Sequence, residues 1–303
     1  MSILVVGSVA FDAIETPFGK TDKIIGGAAS YIALSASYFA KPVNVISVVG
    51  GDFPKPFLET LEQHGVNLEG LQIKEDQKSF FWSGKYNYDL NSRETLVTEL
   101  NVLEHFDPIV PQNYQDCECL MLGNLSPDVQ HSVLKRLKKR PKWVVLDTMN
   151  FWMDIALDSL KEVIKKVDVL TINDEEARQL SGEYQLKKAA DRILEMGPRY
   201  LVIKKGEHGA LLFSKTQNFY APALLLDQVF DPTGAGDTFA GGFLGYLSAH
   251  SSQDPFNTLK KALVYGSAMA SFCVEKFGTD NLLSLSQDQI QERFNEFKIM
   301  VEF

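Results

Sequence analysis

The stretch DPTGAGDTFAGGF (Asp231–Phe243) combines two patterns that oppose each other. Phe239, Phe243 and Leu247, with Leu244 beside them, recur at the spacing of one buried helical face. Glycines stand at 234, 236, 241, 242 and 245, and each interior glycine costs a helix about 1 kcal/mol relative to alanine. Glycines just before a helix let the backbone turn tightly and aim its free N–H groups outward. Together with the helix dipole, those groups form an anion site. Asp237 falls in the same turn, where the dipole favours its charged form. An ionised carboxylate beside an anion site suits removal of a proton from a hydroxyl attacking a phosphoryl group. The same residues also suit a plain Pro-Thr-Gly loop with an N-terminal acid and glycines for close packing.

Outward from this stretch, short apolar runs alternate with helical patterns. Strands are expected at 3–8, 43–49, 119–124, 143–148, 168–173 and 200–205. Amphipathic segments of helical length lie between most of them, at 27–40, 54–64, 127–139, 153–166 and 186–196. That alternation argues for a parallel sheet covered on both faces. Antiparallel strands are expected at 209–214 and 217–223, and three helices from about 235, 255 and 286. Residues 79–101 break the rhythm, with period-two alternation, many aromatics and a turn-rich DLNS. They read as a β-hairpin, placed as a flap or lid, to which 9–25 could add strands.

Three further stretches offer chemistry. Asn173 and Glu176, in NDEE, share one helix face and could place a hydrated Mg²⁺; a helix N-cap with first-turn acids explains them too. Lys204 to Gly209 (KKGEHG) joins two strands. Gly206 and Gly209 permit close approach to a flat or anionic ligand, or simply form a turn. Asp12 lies just past the first strand, where α/β sheets bind ligands. Gly26 and Gly27 open the first long helix, another place for a ligand hydroxyl or for an ordinary helix start.

Of the 303 residues, 45% are hydrophobic and 23% charged, which is ordinary for a globular protein. A formal charge of -9 without a basic block argues against nucleic acid and anionic membranes as partners. Three cysteines, two as Cys117-x-Cys119, make neither a disulfide framework nor a usual zinc spacing. The N-terminus reads as a strand, not a signal peptide, and no run reaches the roughly 18 apolar residues a membrane helix needs. A reduced, cytoplasmic setting is expected. The P-loop pattern and the Gly-x-Gly-x-x-Gly dinucleotide fingerprint are absent, which argues against P-loop enzymes and NAD-dependent dehydrogenases.

Taken together, GSVAFD, GGAAS, NDEE, KKGEHG and DPTGAGDTFAGGF, in this order and spacing along almost the whole chain, resemble the ribokinase-like (PfkB) family of carbohydrate and nucleoside kinases. The resemblance implies a three-layer α/β/α sandwich around a mostly parallel sheet, forming one domain over 1–303 with a small β lid from about 9–25 and 77–103. It implies γ-phosphoryl transfer from ATP, with Mg²⁺, to a hydroxymethyl of a small sugar; a nucleoside is the alternative acceptor, and a non-catalytic binding protein a further one. Asp237 would match the catalytic base, and Gly234, Ala235 and Gly236 the anion hole. Asn173 and Glu176 would organise ATP and Mg²⁺, the metal through water. Lys204, Lys205, Gly206, Gly209, Thr233 and Ser267 would contact the nucleotide. Asp12, Gly26 and Gly27 would contact substrate hydroxyls. Asp231 and Thr233, with carbonyls of Cys273, Lys276 and Gly278, would suit a monovalent cation such as K⁺.

The chain also departs from the family pattern. Ala10 stands where ribokinases carry an asparagine, and Tyr31 where many relatives do, so two amide contacts to a sugar are missing. The lid is instead rich in rings: Phe80, Phe81, Trp82, Tyr86 and Tyr88 could stack on a base or a sugar's apolar face. Its exposed edge also offers a homodimer surface.

Overall fold

The computed structural model describes residues 1–250 and 252–302. Its strands, in chain order, are β1 (Ile3–Val6), β2 (Ala10–Thr16), β3 (Gly19–Lys20), β4 (Ile24–Gly26), β5 (Val43–Gly50), β6 (Val66–Lys74), β7 (Phe81–Tyr86), β8 (Arg93–Glu99), β9 (Cys119–Leu122), β10 (Trp143–Asp147), β11 (Val169–Asn173), β12 (Tyr200–Lys204), β13 (Ala210–Phe213) and β14 (Asn218–Ala221). The α-helices are α1 (Ala28–Ser37), α2 (Lys55–Gln63), α3 (Pro127–Arg136), α4 (Asn150–Ile155), α5 (Leu157–Ile164), α6 (Asp174–Ser181), α7 (Leu186–Glu195), α8 (Ala235–Ala249), α9 (Pro255–Cys273) and α10 (Gln287–Val301).

Nine strands form the main sheet, in the order β14-β13-β12-β11-β10-β9-β1-β5-β6. From β12 to β6 every pairing is parallel; β13 alone runs against the other strands, so its pairings with β12 and β14 are antiparallel. Strand alternation divides the core into two layers. Ile3 and Val5 of β1 face one layer with α1, α2, α8 and α9. Leu4 and Val6 face the other, with α3 to α7. The result is a three-layer α/β/α sandwich. Chain order reverses between β1 and β9, and at such a point in an open α/β sheet a crevice forms at the strand carboxyl ends.

Two elements differ from the sequence reading. Residues 66–74 form β6, which was not expected as a strand. It is an edge strand whose exposed Glu69 and Lys74 interrupt the apolar pattern, and its pairing with β5 is irregular between Asn44 and Ile46. The helix expected over 153–166 begins at Asn150 and breaks at Ala156, whose φ of -142° is extended. The Trp152 indole donates to Asn124 Oδ1 at 2.8 Å and ties α4 to its neighbour, so α5 starts afresh.

A second, five-stranded sheet draws on residues 10–26 and 81–99. Its order is β3-β2-β7-β8, with β4 also on β2. Asp52 anchors its base by accepting from both the N–H and the hydroxyl of Ser79, each at 2.7 Å.

The interior glycines of α8 are explained by its neighbours. A Cβ on Gly241 would collide with the Ile32 carbonyl oxygen and stand 2.7 Å from Ser35 Cβ on α1. Ser35 Oγ donates to the Thr238 carbonyl at 2.8 Å, locking the two helices at this separation. Glycine to alanine inside a helix is ordinarily a gain; here the sign should reverse. Gly241→Ala is expected to lower stability by about 1–3 kcal/mol through overpacking, checked by urea unfolding. An unchanged or raised midpoint would show that α1 and α8 can separate freely.

Candidate active site

The site lies where the carboxyl ends of the parallel strands meet the N-terminus of α8. Gly234 caps that helix with φ +74° and no side-chain cap bond. A Cβ at Gly234 would lie 2.6 Å from Tyr31 Cε2, so conformation and space both require glycine. Within this turn Ala235 N–H donates to the Pro232 carbonyl at 3.2 Å. Among the described residues, no acceptor serves the N–H group of Gly234 at the cap or those of Gly236 and Asp237 in the first turn. The two first-turn donors at the helix N-terminus thus face the cleft, a ready anion site. This differs in one detail from the expected anion hole: Ala235 spends its amide on the turn, while Asp237 offers its own.

Asp237 stands beside those amides. Burial, reinforced by the Asp147 carboxylate, raises its pKa to about 7, against the opposing charges of Lys204 and Arg93. Asp12, on β2, is brought up to the site by the β2–β4 pairing, which sets Ala10 opposite Gly26. Its carboxylate fills the space a Cβ on Gly26 would need, beside the Gly27 amide. Gly27 itself has φ +89°, and a Cβ there would press on the Ser8 carbonyl oxygen at 2.5 Å. Burial, then repulsion from Asp231 and Asp237, raises the Asp12 pKa to about 7.

Asn173 and Glu176 form a reciprocal capping box at the start of α6. Asn173 Oδ1 accepts from Glu176 N and Glu176 Oε2 from Asn173 N, both at 2.8 Å. The helix-cap reading of NDEE is therefore realised, which leaves Asn173 Nδ2 and Glu176 Oε1 for a ligand. Burial raises the pKa of Glu176 to about 7. No group of three or more His, Cys, Asp or Glu among the described residues is arranged to hold a metal. The unengaged Glu176 Oε1 is an oxygen donor of the kind that Mg²⁺ takes, directly or through its waters.

The two lysines of KKGEHG go separate ways. Lys204, the last residue of β12, is largely buried and donates to Asp147 Oδ2 at 2.7 Å. Lys205 begins a loop closed by its N–H on the Gly209 carbonyl at 2.8 Å. Gly206 and Gly209 both have positive φ, +54° and +84°. A Cβ on Gly206 would collide with Asn91 Oδ1, so the turn joining β7 to β8 rests on this loop. Ser267 is half-buried on α9, which packs along α8.

Asp231 is fully buried and accepts from Thr233 N at 2.8 Å and Gly278 N at 3.3 Å. The 273–278 loop therefore lies against it. The Thr233 hydroxyl donates to Tyr86 of β7 at 3.2 Å, linking the small sheet to the α8 turn.

Two participants went unseen in the sequence, and a third, Tyr31, was marked there only as a departure from the family pattern. Asp147 ends the apolar run WVVLD, and that position alone could have marked it. Arg93 lies on β8, every residue of which is exposed, yet its charge favours ionised Asp12, Glu176 and Asp237. Tyr31 buries its hydroxyl with no hydrogen-bond partner.

The pfkB family carbohydrate kinase model matches residues 2–285. The chain belongs to the PfkB family. It is therefore a phosphotransferase with an alcohol group as acceptor, on the ribokinase-like fold. Among its relatives is the cytidine kinase of Thermococcus kodakarensis, 29% identical over 252 residues, covering 81% of this chain and 88% of that one. Among solved structures, the nucleoside kinase of Burkholderia thailandensis in complex with inosine matches with a TM-score of 0.78 at 19% identity, covering 97% of each chain. An E. coli structure of this fold, in complex with ATP and Mg²⁺, matches with a TM-score of 0.79 at 18% identity, covering 98% of this chain and 99% of that one.

PfkB membership makes the raised pKa of Asp237 an expected feature of a functional site, and it has a stability consequence. A carboxyl whose folded pKa is raised binds more protons when folded than when unfolded. Its contribution turns unfavourable as pH climbs from the ordinary 3.8 to about 7 and is fully so above that. Asp237→Asn removes the cost. The variant should equal wild type near pH 4 and exceed it at pH 8 by on the order of 1–3 kcal/mol, read from urea unfolding at both pH values. A constant difference across that range would mean that Asp237 titrates normally.

Proposed function

We propose that this PfkB enzyme transfers the γ-phosphoryl group of ATP to the hydroxymethyl group of a nucleoside. The observation that carries the phosphotransfer reading is Asp237 in the first turn of α8 beside two unpaired N–H groups. A base with a pKa near 7 is matched to its task. The Asp237 carboxylate accepts the acceptor's hydroxyl proton as that oxygen attacks the γ-phosphorus. The bond from phosphorus to the ADP oxygen breaks, and the amides of Gly236 and Asp237 receive the negative charge that spreads over the phosphoryl oxygens.

A nucleoside is preferred over a free sugar on three grounds. Ala10 replaces the asparagine of ribokinases and Tyr31 that of many relatives, and the Tyr31 ring fills the space against Gly234. The small sheet supplies a partly buried ring at Trp82, in register with Asp12, on which a base could stack. The cytidine kinase of T. kodakarensis and the inosine-bound kinase of B. thailandensis give independent support. A small sugar remains the second reading, favoured by Asp12, a carboxylate able to hold two hydroxyls.

The small sheet acts as a lid, closed here through Asn91 on the Gly206 loop and Tyr86 on Thr233. That loop, with Lys205, Gly206, Gly209 and Ser267, takes the nucleotide. Mg²⁺, ordered by Asn173 and Glu176, would neutralise the β- and γ-phosphates. A monovalent cation would lie by Asp231 with carbonyls of the 273–278 loop. Exposed Leu96 and Val97 on β8 suit a homodimer contact.

Asp237→Asn should retain ATP and acceptor binding and lose about 10²–10⁴-fold in single-turnover transfer to cytidine. Near wild-type transfer would remove Asp237 from the role of base. Asp12→Ala leaves substrate hydroxyls unpaired, so KM for the acceptor should rise sharply while ATP affinity holds. Unchanged acceptor kinetics would show that the acceptor lies elsewhere.

A further inference from the structure

Three neighbouring parallel strands, β10, β11 and β12, end in Asp147, Asn173 and Lys204, and Asn173 and Lys204 pair in register. Their carboxyl ends bring these side chains to the N-terminus of α8. The Lys204 ammonium is the nearest atom to the position a Cβ on Gly236 would take, at 3.1 Å. It therefore stands beside one of the two unpaired amides. The Lys204 side chain is 18% exposed and that of Asp147 7%. Asp147 is fixed in turn: its Oδ2 accepts from Lys204 and its Oδ1 from Thr148 N at 2.8 Å.

Such a pair needs a reason. A buried ion pair seldom stabilises a fold more than apolar residues of the same volume would. This one stands at the mouth of an acidic site. Asp12, Asp147, Glu176, Asp231 and Asp237 gather there; the charge of Lys204 acts on Asp147, Glu176 and Asp237, and that of Arg93 on Asp12, Glu176 and Asp237. A polyphosphate entering that field needs a fixed positive charge at its reacting end. Lys205, by contrast, remains with the nucleotide loop.

We infer that Lys204 is the enzyme's own cation for the transferring phosphoryl group, with Asp147 as the residue that positions it, and that it does not serve the nucleotide loop. This rests on the phosphotransfer reading above. The lysine remains an ammonium throughout; no proton or bond passes through it. It adds a point charge to the donors at the phosphoryl oxygens, where charge spreads as the bond to ADP loosens. The pair also tunes the base. Asp147 pushes the Asp237 pKa up and Lys204 pulls it down, so the two should act on the pH profile with opposite signs.

The test uses Lys204→Met, Asp147→Asn and the double variant Lys204→Met/Asp147→Asn, which leaves no buried charge unpaired if either single variant fails to fold. With MgATP and a turned-over acceptor, Lys204→Met should lose about 10²–10³-fold in kcat, as for a lost oxyanion donor, with a much smaller change in KM for ATP. By calorimetry, ADP should bind as to wild type and β,γ-imido-ATP more weakly, in both Lys204→Met and the double variant. The acid limb of kcat/KM should move to higher pH in Lys204→Met and to lower pH in Asp147→Asn. Wild-type kcat with a raised KM for ATP, or equal losses for ADP and β,γ-imido-ATP, would return Lys204 to the nucleotide loop. A pH limb moved by neither variant would make the pair purely structural. Wild-type protein that turns over no acceptor would defeat the phosphotransfer reading, and the calorimetric comparison would still decide the place of Lys204.

Discussion

Two backbone N–H groups at the start of α8 have no acceptor among the described residues, and much of the surrounding structure follows from keeping them that way. A partly buried amide without a partner is costly. Folds usually relieve it with a capping side chain, as Asn173 does for α6, Ser286 for α10 and Ser126 for α3. At α8 the cap is Gly234, which has no side chain to offer and a φ that other residues rarely adopt. The Tyr31 ring closes the space on its far side. The helix behind the turn then packs through Gly241, Gly242 and Gly245 against α1 and α9, which sets the open amides rigidly at the strand ends.

Around those donors the electrostatics are deliberately unfavourable to the empty protein. Asp12, Glu176 and Asp237 are all pushed towards neutrality, chiefly by burial. A site that stores such a cost gives up stability, which is the general relation between a strained functional site and the fold that carries it. The small sheet belongs to the same field. It brings Asp12 from β2, Tyr86 from β7 and Arg93 from β8, and its turn reaches the Gly206 loop. Asp12 and the Gly206 loop are thereby joined through one sheet.

How much of this was legible depended on the distance over which each signal acts. β1, β9 and β10 could be read because they are short apolar runs buried on both faces. β6 could not, because an edge strand has only one neighbour and tolerates Glu69 and Lys74. The α8 turn was readable because glycine, acid and apolar period fall within a few residues. The partnership of Lys204 with Asp147 spans 57 positions and leaves no local mark. Arg93 reads as one charge in an exposed strand, and only the pairing of β8 with β7 shows that it faces the carboxylates. The capping box of NDEE was legible as one of two readings, and the geometry realises the structural one without removing the other.

The central claim is that the α8 turn is the place where phosphoryl transfer occurs. The most direct measurement is a crystal structure of the protein with ADP, Mg²⁺, fluoroaluminate and cytidine. The account predicts the planar fluoride group within hydrogen-bond reach of the Gly236 and Asp237 amides, and an Asp237 oxygen about 2.6–3.2 Å from the acceptor hydroxyl. A fluoride group bound away from that turn, or an acceptor hydroxyl facing some other base, would contradict it.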